Sequence, residues 1–224
     1  MKLSYPEFSE VITIDGSGVP CIIIESRSLL RTFICDILSA IEGAKNDLVL
    51  SDGGQTLDPP KSIEVITDFV HFDMNKKALL NKVVTELERV ALSAEHYLEA
   101  HSLLQEIERA INDWSFSFPC DIVPSKVSVS ALLKSVGIEL RDEYEGHRGE
   151  VEKILDYMEL VREFDRDKLF ITVNMRAFFD DSIISQFQKT ALSHGFKLLM
   201  IEAHAYNKLD FEKRTVIDTD LCEF

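Results

Sequence analysis

Two apolar segments in the last third of the chain constrain the fold most. KLFITVN spans residues 168–174 and FKLLMIE spans residues 196–202. The stretch between them, DDSIISQFQKTALSHG, has the length and pattern of one helix. Two buried strands joined through a helix form the crossover unit of a parallel sheet. We therefore predict an α/β fold with a parallel or mixed sheet.

The groups that nucleotide hydrolysis needs are missing from this predicted sheet. KLFITVN ends without an acidic residue, and the earlier segment CIIIE leads into SRSLLR without a glycine or a lysine. A phosphate-binding loop between a strand and a helix has the pattern GxxxxGK[ST]. The sequence thus predicts a nucleotide-binding architecture without a functional phosphate loop, which is suited to binding a partner and not to hydrolysing a nucleotide.

The first part of the chain predicts short strands and one helix. VITID and VPCIIIE flank Gly-Ser-Gly, which favours a hairpin, and DLVLSDGGQTL predicts a second one. Between them, RSLLRTFICDILSAIEG has apolar residues at helical spacing. We expect these elements to belong to the same lobe as the crossover unit.

A long helical segment interrupts the α/β pattern. Residues 75–114 contain no proline and no glycine, and their apolar residues recur at helical spacing. Such a segment needs a partner, and the helical pattern Val151–Phe164 is the natural one. We predict an α/β head lobe formed by residues 1–72 and 166–224, with residues 73–165 as an inserted helical lobe.

Composition limits the partners. The chain carries 24 basic and 39 acidic side chains, a formal net charge of −15, so on average it repels phosphate backbones and anionic membranes. No apolar stretch approaches the roughly 18 residues of a membrane span, and no signal-peptide pattern is present. We expect a cytoplasmic protein. Its four cysteines lack CxxC spacing, which predicts reduced, buried thiols and neither zinc nor disulfides.

No motif favours catalysis. A nucleophile elbow of the GxSxG type is absent, although a catalytic triad assembled only in space stays open. The histidines lack metal-ligand spacing. Asp180 and Asp181 lie where a helix begins, and we interpret them as capping residues. We predict that the protein is not an enzyme.

Scarce basic residues form small groups. Any one of them is most simply an ordinary surface charge, but repeated around a symmetric oligomer they would line a positive channel. The candidate phosphate contacts are Lys76, Lys77 and Lys82 at the start of the long helical segment, Arg27 and Arg31 where a phosphate loop would lie, and Lys208 near the C-terminus.

Acidic residues concentrate where the helical segment leaves and rejoins the α/β lobe. Asp113, Asp121 and Asp142 are the candidate metal ligands among them. Because no DxDxDG calcium loop is present, the residues alone favour a solvated acidic surface.

Three segments resemble one known family. They are EVITDFVHFDMNKKALLNKVVTELE at 64–88, VSALLKSVGIEL at 129–140, and the strand-helix-strand unit in the last third. In order and spacing they are similar to the short form of the Csn-two-type CRISPR-associated proteins of type II-A systems. The resemblance covers nearly the whole chain.

The resemblance implies a fold and a function. It implies an α/β lobe similar to P-loop ATPases without nucleotide binding, a helical lobe, and a homotetrameric ring stabilised by calcium. Such a ring binds double-stranded DNA ends in its lysine-lined hole during spacer acquisition, together with the CRISPR integrase complex and the type II effector nuclease. A degenerate nucleotide-binding regulator or hydrolase and a protein-recruiting scaffold are the alternatives.

The chain departs from the family pattern at two places. The acidic segment that supplies calcium ligands in relatives is here SFSFPCDIVPSK, in which only Asp121 clearly keeps a carboxylate. Where relatives have serines, this chain has Lys76 and Lys77, which predicts additional phosphate contacts inside the ring.

Overall fold

The computed structural model describes residues 1–120, 122–141 and 146–224, with side chains from 149 onward in the last range. The strands are β1 (Lys2–Ser4), β2 (Ile12–Thr13), β3 (Val19–Ile24), β4 (Val49–Asp52), β5 (Gln55–Thr56), β6 (Ile63–Ile66), β7 (Leu169–Val173), β8 (Lys197–Glu202) and β9 (Glu212–Ile217). The helices are α1 (Arg27–Ile41), α2 (Pro59–Ser62), α3 (Lys77–Ala91), α4 (Tyr97–Ser115), α5 (Val129–Val136), α6 (Gly146–Phe164) and α7 (Asp181–Ser193). A short 3-10 helix spans Met175–Ala177.

The chain divides into two compact units. The first, called the α/β unit below, contains residues 1–72 and 143–224, and the second, the helical unit, contains residues 73–142. The α/β unit therefore includes α6, whereas the predicted boundary fell after residue 165. Tyr157 explains the difference, because its hydroxyl donates to Glu64 Oε1 at 2.6 Å and its ring lies 5.0 Å from that of Phe72.

A five-stranded sheet in the order β6-β7-β8-β3-β9 organises the α/β unit. All four neighbouring pairs are parallel. β7 and β8 pair from Leu169 with Lys197 to Val173 with Ile201, and α7 connects them, so the predicted crossover unit is confirmed. Every residue of β3 and β7 is buried, as expected for parallel strands covered on both faces.

Helices cover both faces of this sheet. α1 buries Leu29, Phe33 and Ile37 against alternate residues of β3 and β8, which include Ile22 and Ile201. α7 packs on the side of Met200, whose sulfur accepts a hydrogen bond from the Gln188 amide. Because successive strand residues point to opposite faces, these two helices lie on opposite sides of the sheet.

A small antiparallel sheet, ordered β2-β1-β4-β5, completes the α/β unit. The predicted DGG hairpin is confirmed, since β4 pairs with β5 across it. The predicted hairpin between β2 and β3 is wrong, because β2 pairs with β1 while β3 lies between β8 and β9. The Asp15 carboxylate accepts hydrogen bonds from the Ser17 amide and hydroxyl, and this turn directs the chain from one sheet to the other.

The helical unit contains two helices where the sequence predicted one uninterrupted segment. α3 ends at Ala91 and α4 begins at Tyr97, because the Ser93 carbonyl accepts from the amides of His96 and Tyr97 in an intervening turn. α3 packs against α5. The predicted partner, α6, packs against α7 within the α/β unit.

Two smaller expectations have mixed outcomes. Cys21 is buried as predicted, whereas Cys35, Cys120 and Cys222 are exposed; all four are free thiols.

Within the described ranges, no helix combines the length and apolar character that a bilayer crossing requires.

Candidate nucleic-acid interface

The start of α1 presents two arginines. Only Glu25 and Ser26 connect strand β3 to this helix. Arg27 and Arg31 are exposed and lie four residues apart, so they project from the same side of α1. The first turn carries no acidic residue to neutralise them. The positive end of the helix dipole adds to their charge, and this end of α1 attracts anions.

The start of α3 has the same electrostatic character. Lys76 occupies the N-cap position and is half-buried, while Lys77 and Lys82 are exposed in the first two turns. Again the first turn has no acidic residue. Cations at a helix start are unfavourable for the helix itself, but they concentrate positive potential where backbone amides also point outward. This arrangement suits phosphate oxygens.

Asn75 fixes the backbone beside these lysines. Its Oδ1 accepts from the Leu140 amide at 2.7 Å, and its Nδ2 donates to the Leu140 carbonyl at 3.3 Å. The Asn75 amide in turn donates to Asp73 Oδ1 at 2.8 Å. Sequence reasoning did not single out Asn75, although an Asp two residues before an Asn is typical of such turns. The beginning of α3 is thus joined to the segment after α5.

Acidic residues stand at other helix starts. α4 has Glu99 in its first turn, and α7 has Asp180 at the N-cap position and Asp181 in the first turn. Asp180 makes no side-chain capping bond, so the capping interpretation is wrong for its carboxylate. Asp181 lies within 2.6 Å of Arg176 and stabilises that cation as well as the helix start. Unlike α4 and α7, α1 and α3 have basic residues and no acid in the first turn.

Lys208 lies in the segment 203–211 that connects β8 to β9, called the crossover loop below, and it is exposed. Two basic residues just beyond the loop are engaged. Lys213 Nζ lies 2.7 Å from Asp15 Oδ1, and Arg214 Nη2 lies 2.7 Å from Glu212 Oε2. Lys213 is also exposed, but its ammonium is ion-paired with Asp15, so Lys208 is the better candidate for a phosphate contact.

A buried ionic network holds the crossover loop. Arg176 pairs with Glu212 at 2.7 Å, and both side chains are almost completely buried. Arg176 also donates to the Asn207 carbonyl at 2.8 Å, and Arg214 donates to the Tyr206 carbonyl at 2.8 Å. Removing one partner of such a pair would leave an uncompensated buried charge. The network thus fixes the loop that carries Lys208.

Glu202 lies at the carboxyl end of β8 beside this network. Its Oε1 accepts from the Arg176 amide at 3.2 Å, and the residue is 1% exposed. Burial raises the pKa of the Glu202 carboxyl to about 7. Sequence reasoning missed this site, although the acidic residue that ends FKLLMIE and the alternation of Glu212 with Arg214 in β9 were available signals.

The candidate metal ligands are only partly described. Asp113 is exposed near the end of α4. Asp121 and Asp142 lie outside the described residues. In the described part of the chain, no cluster of three or more His, Cys, Asp or Glu side chains has an arrangement suited to a metal ion.

The structure thus groups the predicted basic residues within each unit. Arg27 and Arg31 share one helix of the α/β unit, which also carries Lys208 in its crossover loop. The lysines at 76, 77 and 82 share the first two turns of α3 in the helical unit. Each group can bind phosphate oxygens, because it combines exposed cations with a helix start or an anchored loop.

The fold and these groups define a two-unit α/β protein with a parallel sheet, an additional helical unit and positively charged helix starts. A comparison with protein families matches residues 41–221 to the family described as CRISPR-associated protein (Cas_Csn2). The match covers well over half of the chain, and the chain belongs to this family. A search of curated proteins finds no match.

Proposed function

We propose that the protein binds double-stranded DNA ends without reading their sequence, as a homotetrameric ring, and acts in CRISPR spacer acquisition. The observation that carries the proposal is the pair of helix starts, in α1 and α3, that present exposed basic residues and no first-turn acid on a chain of net charge −15. Cations at such positions contact phosphates, which position DNA without specifying its sequence. The proposed role is non-catalytic and belongs to the cytoplasm.

The connection between β3 and α1 supports binding without nucleotide chemistry. We propose that the α/β unit is P-loop-ATPase-like but lacks a functional phosphate loop. Two residues, Glu25 and Ser26, separate the strand from the helix, and neither is a glycine. A loop that surrounds a phosphate needs several residues with free amides at this place. The arginines of α1 would then contact DNA phosphates at the corresponding helix start.

The surface of the helical unit supports self-assembly. Leu98 is 80% exposed and Phe116 is 84% exposed. A groove of about 370 Å³ between α3, α4 and α5 is lined mainly by leucines and valines, among them Leu103 and Leu132. Exposed apolar surface of this kind is typical of protein interfaces. We assign it to contacts between copies in the proposed ring, in which the basic helix starts would repeat.

Calcium and the partners belong to the same proposal. Calcium would reduce repulsion where acidic surfaces of neighbouring copies meet. Asp121, Asp113 and Asp142 are the residues that we propose to test as ligands. The proposed partners are the CRISPR integrase complex and the type II effector nuclease.

Charge reversal at the start of α3 tests DNA binding. The variant Lys76→Glu/Lys77→Glu should bind a short linear duplex at least about tenfold more weakly than the parent, because two phosphate contacts become repulsive. Fluorescence anisotropy measures this, at salt concentrations between about 50 and 200 mM, over which parent affinity should fall steeply. Lys45→Glu/Lys61→Glu, a double charge reversal at two exposed positions elsewhere, is the control matched in net charge. An equal loss in the control, or a parent affinity that salt does not change, contradicts the proposal.

Solution mass tests assembly and calcium together. Light scattering should give four copies per particle in calcium and a smaller particle in the presence of a chelator. A protein that remains a single copy under both conditions contradicts the ring, whereas a tetramer that survives chelation contradicts only the role of calcium.

A further inference from the structure

A cavity of about 400 Å³ opens at the carboxyl ends of β6, β7 and β8. Thr67, Asn174, Phe178, His204 and Tyr206 line it. In α/β sheets, ligands bind outside the carboxyl ends of parallel strands. The cavity volume lies in the range of small-molecule sites. The position and size of the cavity therefore favour a small ligand or one unit of a larger one.

Aromatic rings form part of the cavity wall, and neighbouring side chains hold them. Phe178 is 48% exposed, and its ring packs at 5.7 Å against that of the buried Phe69. The Arg176 guanidinium lies over the Tyr206 ring, 4.8 Å from its centre. Arg176 is itself fixed by its ion pair with Glu212. Rings held before binding can stack on a planar group with little loss of side-chain entropy.

Asn174 supplies a fixed polar group to the cavity. Its φ is 56°, in the left-handed region, which few residues other than glycine adopt. Its backbone amide donates to the Ile201 carbonyl at 2.8 Å, and its side-chain Oδ1 accepts from the Ala203 backbone amide at 2.8 Å. The side-chain amide is thus tied to the end of β8. Thr67 and His204, both exposed, add donors and acceptors for the edge of a heteroaromatic ring.

Charged residues of both signs are neighbours in sequence of the residues that line the cavity. Lys208 follows Tyr206 by two residues in the crossover loop, and it is exposed. Asp210 is exposed in the same loop. Asp68 follows Thr67, and its Oδ1 accepts from the amides of Val70 and His71. These charged residues are not among those that line the cavity, so ring stacking is the main source of binding free energy that the cavity itself offers.

We propose that this cavity binds one nucleobase, contributed by an unpaired nucleotide at the end of the bound DNA; this rests on the proposed function. Stacking of a base on an aromatic side chain is worth about 1–3 kcal/mol, or a factor of roughly five to a hundred in affinity. A free nucleotide would have only this stacking free energy for binding, so its affinity for the cavity should be low. A base tethered to bound DNA has a high effective concentration and occupies the cavity more fully.

A fluorescent base tests the proposal. One duplex is blunt, and a second carries a single-nucleotide overhang with 2-aminopurine as its base. The parent should bind the overhang duplex about five- to a hundredfold more tightly and quench its fluorescence. Phe178→Ala should lose both the preference and the quenching while keeping the parent affinity for blunt duplex. His204→Ala, a change at an exposed side chain, should weaken the preference without affecting folding.

The control is Phe224→Ala, which removes an aromatic ring that is 73% exposed in the same unit. It should retain the preference and the quenching. Equal parent affinity for the two duplexes without quenching overturns the inference. If the free 2-aminopurine nucleotide binds as tightly as the overhang duplex, the base in the cavity does not come from a DNA end. Failure of the proposed function looks different: neither duplex binds, yet the parent still quenches a single-stranded 2-aminopurine oligonucleotide and Phe178→Ala does not.

Discussion

The α/β unit and the helical unit bury their apolar residues to very different extents. In the α/β unit, β3 and β7 are buried along their whole length. In the helical unit, Leu79 is the one buried residue of α3, and α4 has none. Helices in proteins owe most of their stability to the packing of an apolar face. The first unit closes its own core, whereas the second leaves apolar side chains exposed.

The largest expected effect is the loss of stability when a buried side chain of the α/β unit is truncated, compared with an exposed one of the helical unit. Phe33 is fully buried on α1, and its ring lies 4.8 Å from that of Tyr5. Phe33→Ala should lower the free energy of unfolding by about 3–5 kcal/mol, because it leaves a cavity. Urea denaturation measures the change. Leu98→Ala in the helical unit, where the side chain is 80% exposed, is the control and should change it by less than about 0.5 kcal/mol. Similar losses in both variants would contradict the comparison.

The next effect is the pH dependence that Glu202 gives to the α/β unit. Its carboxyl pKa is raised by burial from 4.5 to about 7, so the folded state keeps a proton that the unfolded state releases between these values. The free energy of unfolding should therefore fall as pH rises from 4.5 to 7, by on the order of 3 kcal/mol. Glu202→Gln should remove this part of the slope in urea titrations.

Contributions of other groups to the pH dependence are the same in the parent and in Glu202→Gln, so subtracting the variant curve from the parent curve cancels them. Glu64→Gln, a matched change at a half-buried glutamate of the same unit, is the control. A slope that persists unchanged in Glu202→Gln would show that another group causes it.

The smallest effect concerns assembly through the helical unit. Leu103 is 47% exposed and lines the groove between α3, α4 and α5. Leu103→Glu should weaken association between copies by about tenfold or more, since a carboxylate would be placed in an apolar interface. Sedimentation equilibrium measures the dissociation constant. Gln105→Glu, an exposed position on the same helix, is the control and should assemble like the parent. If the parent, Leu103→Glu and Gln105→Glu have equal apparent masses in this experiment, the groove is not part of the proposed interface.

Sequence patterns predicted the sheet better than the helices. The parallel pairing of β7 with β8 followed from two apolar segments and the helix between them. Burial on both faces leaves a continuous apolar pattern that few other structures share. The break at Ser93 was missed, since a five-residue turn can retain helical spacing on both sides without a proline or glycine. Serine's tendency to favour turns was too weak a signal.

The lysines at 76, 77 and 82 lie at a helix start, as the sequence predicted, whereas the position of Lys208 in the crossover loop was not predicted. The grouping of Arg27 with Arg31 followed from spacing, because residues four apart share one side of a helix. The buried partners of Arg176 did not follow, since Glu212 is 36 residues away and only the fold brings the two together. The aromatic cavity likewise depends on three separate strand ends meeting at one edge.

The paired hydrogen bonds between Asn75 and Leu140 join positions that are 65 residues apart. The lysines that follow Asn75 are consequently attached to a backbone that these two hydrogen bonds fix. A polyanion that bound here would lose little free energy to ordering of this backbone. More of the Coulomb attraction would therefore contribute to its affinity. In the proposed complex, a single uncharged amide side chain would thus orient the cationic end of α3 toward the DNA phosphates.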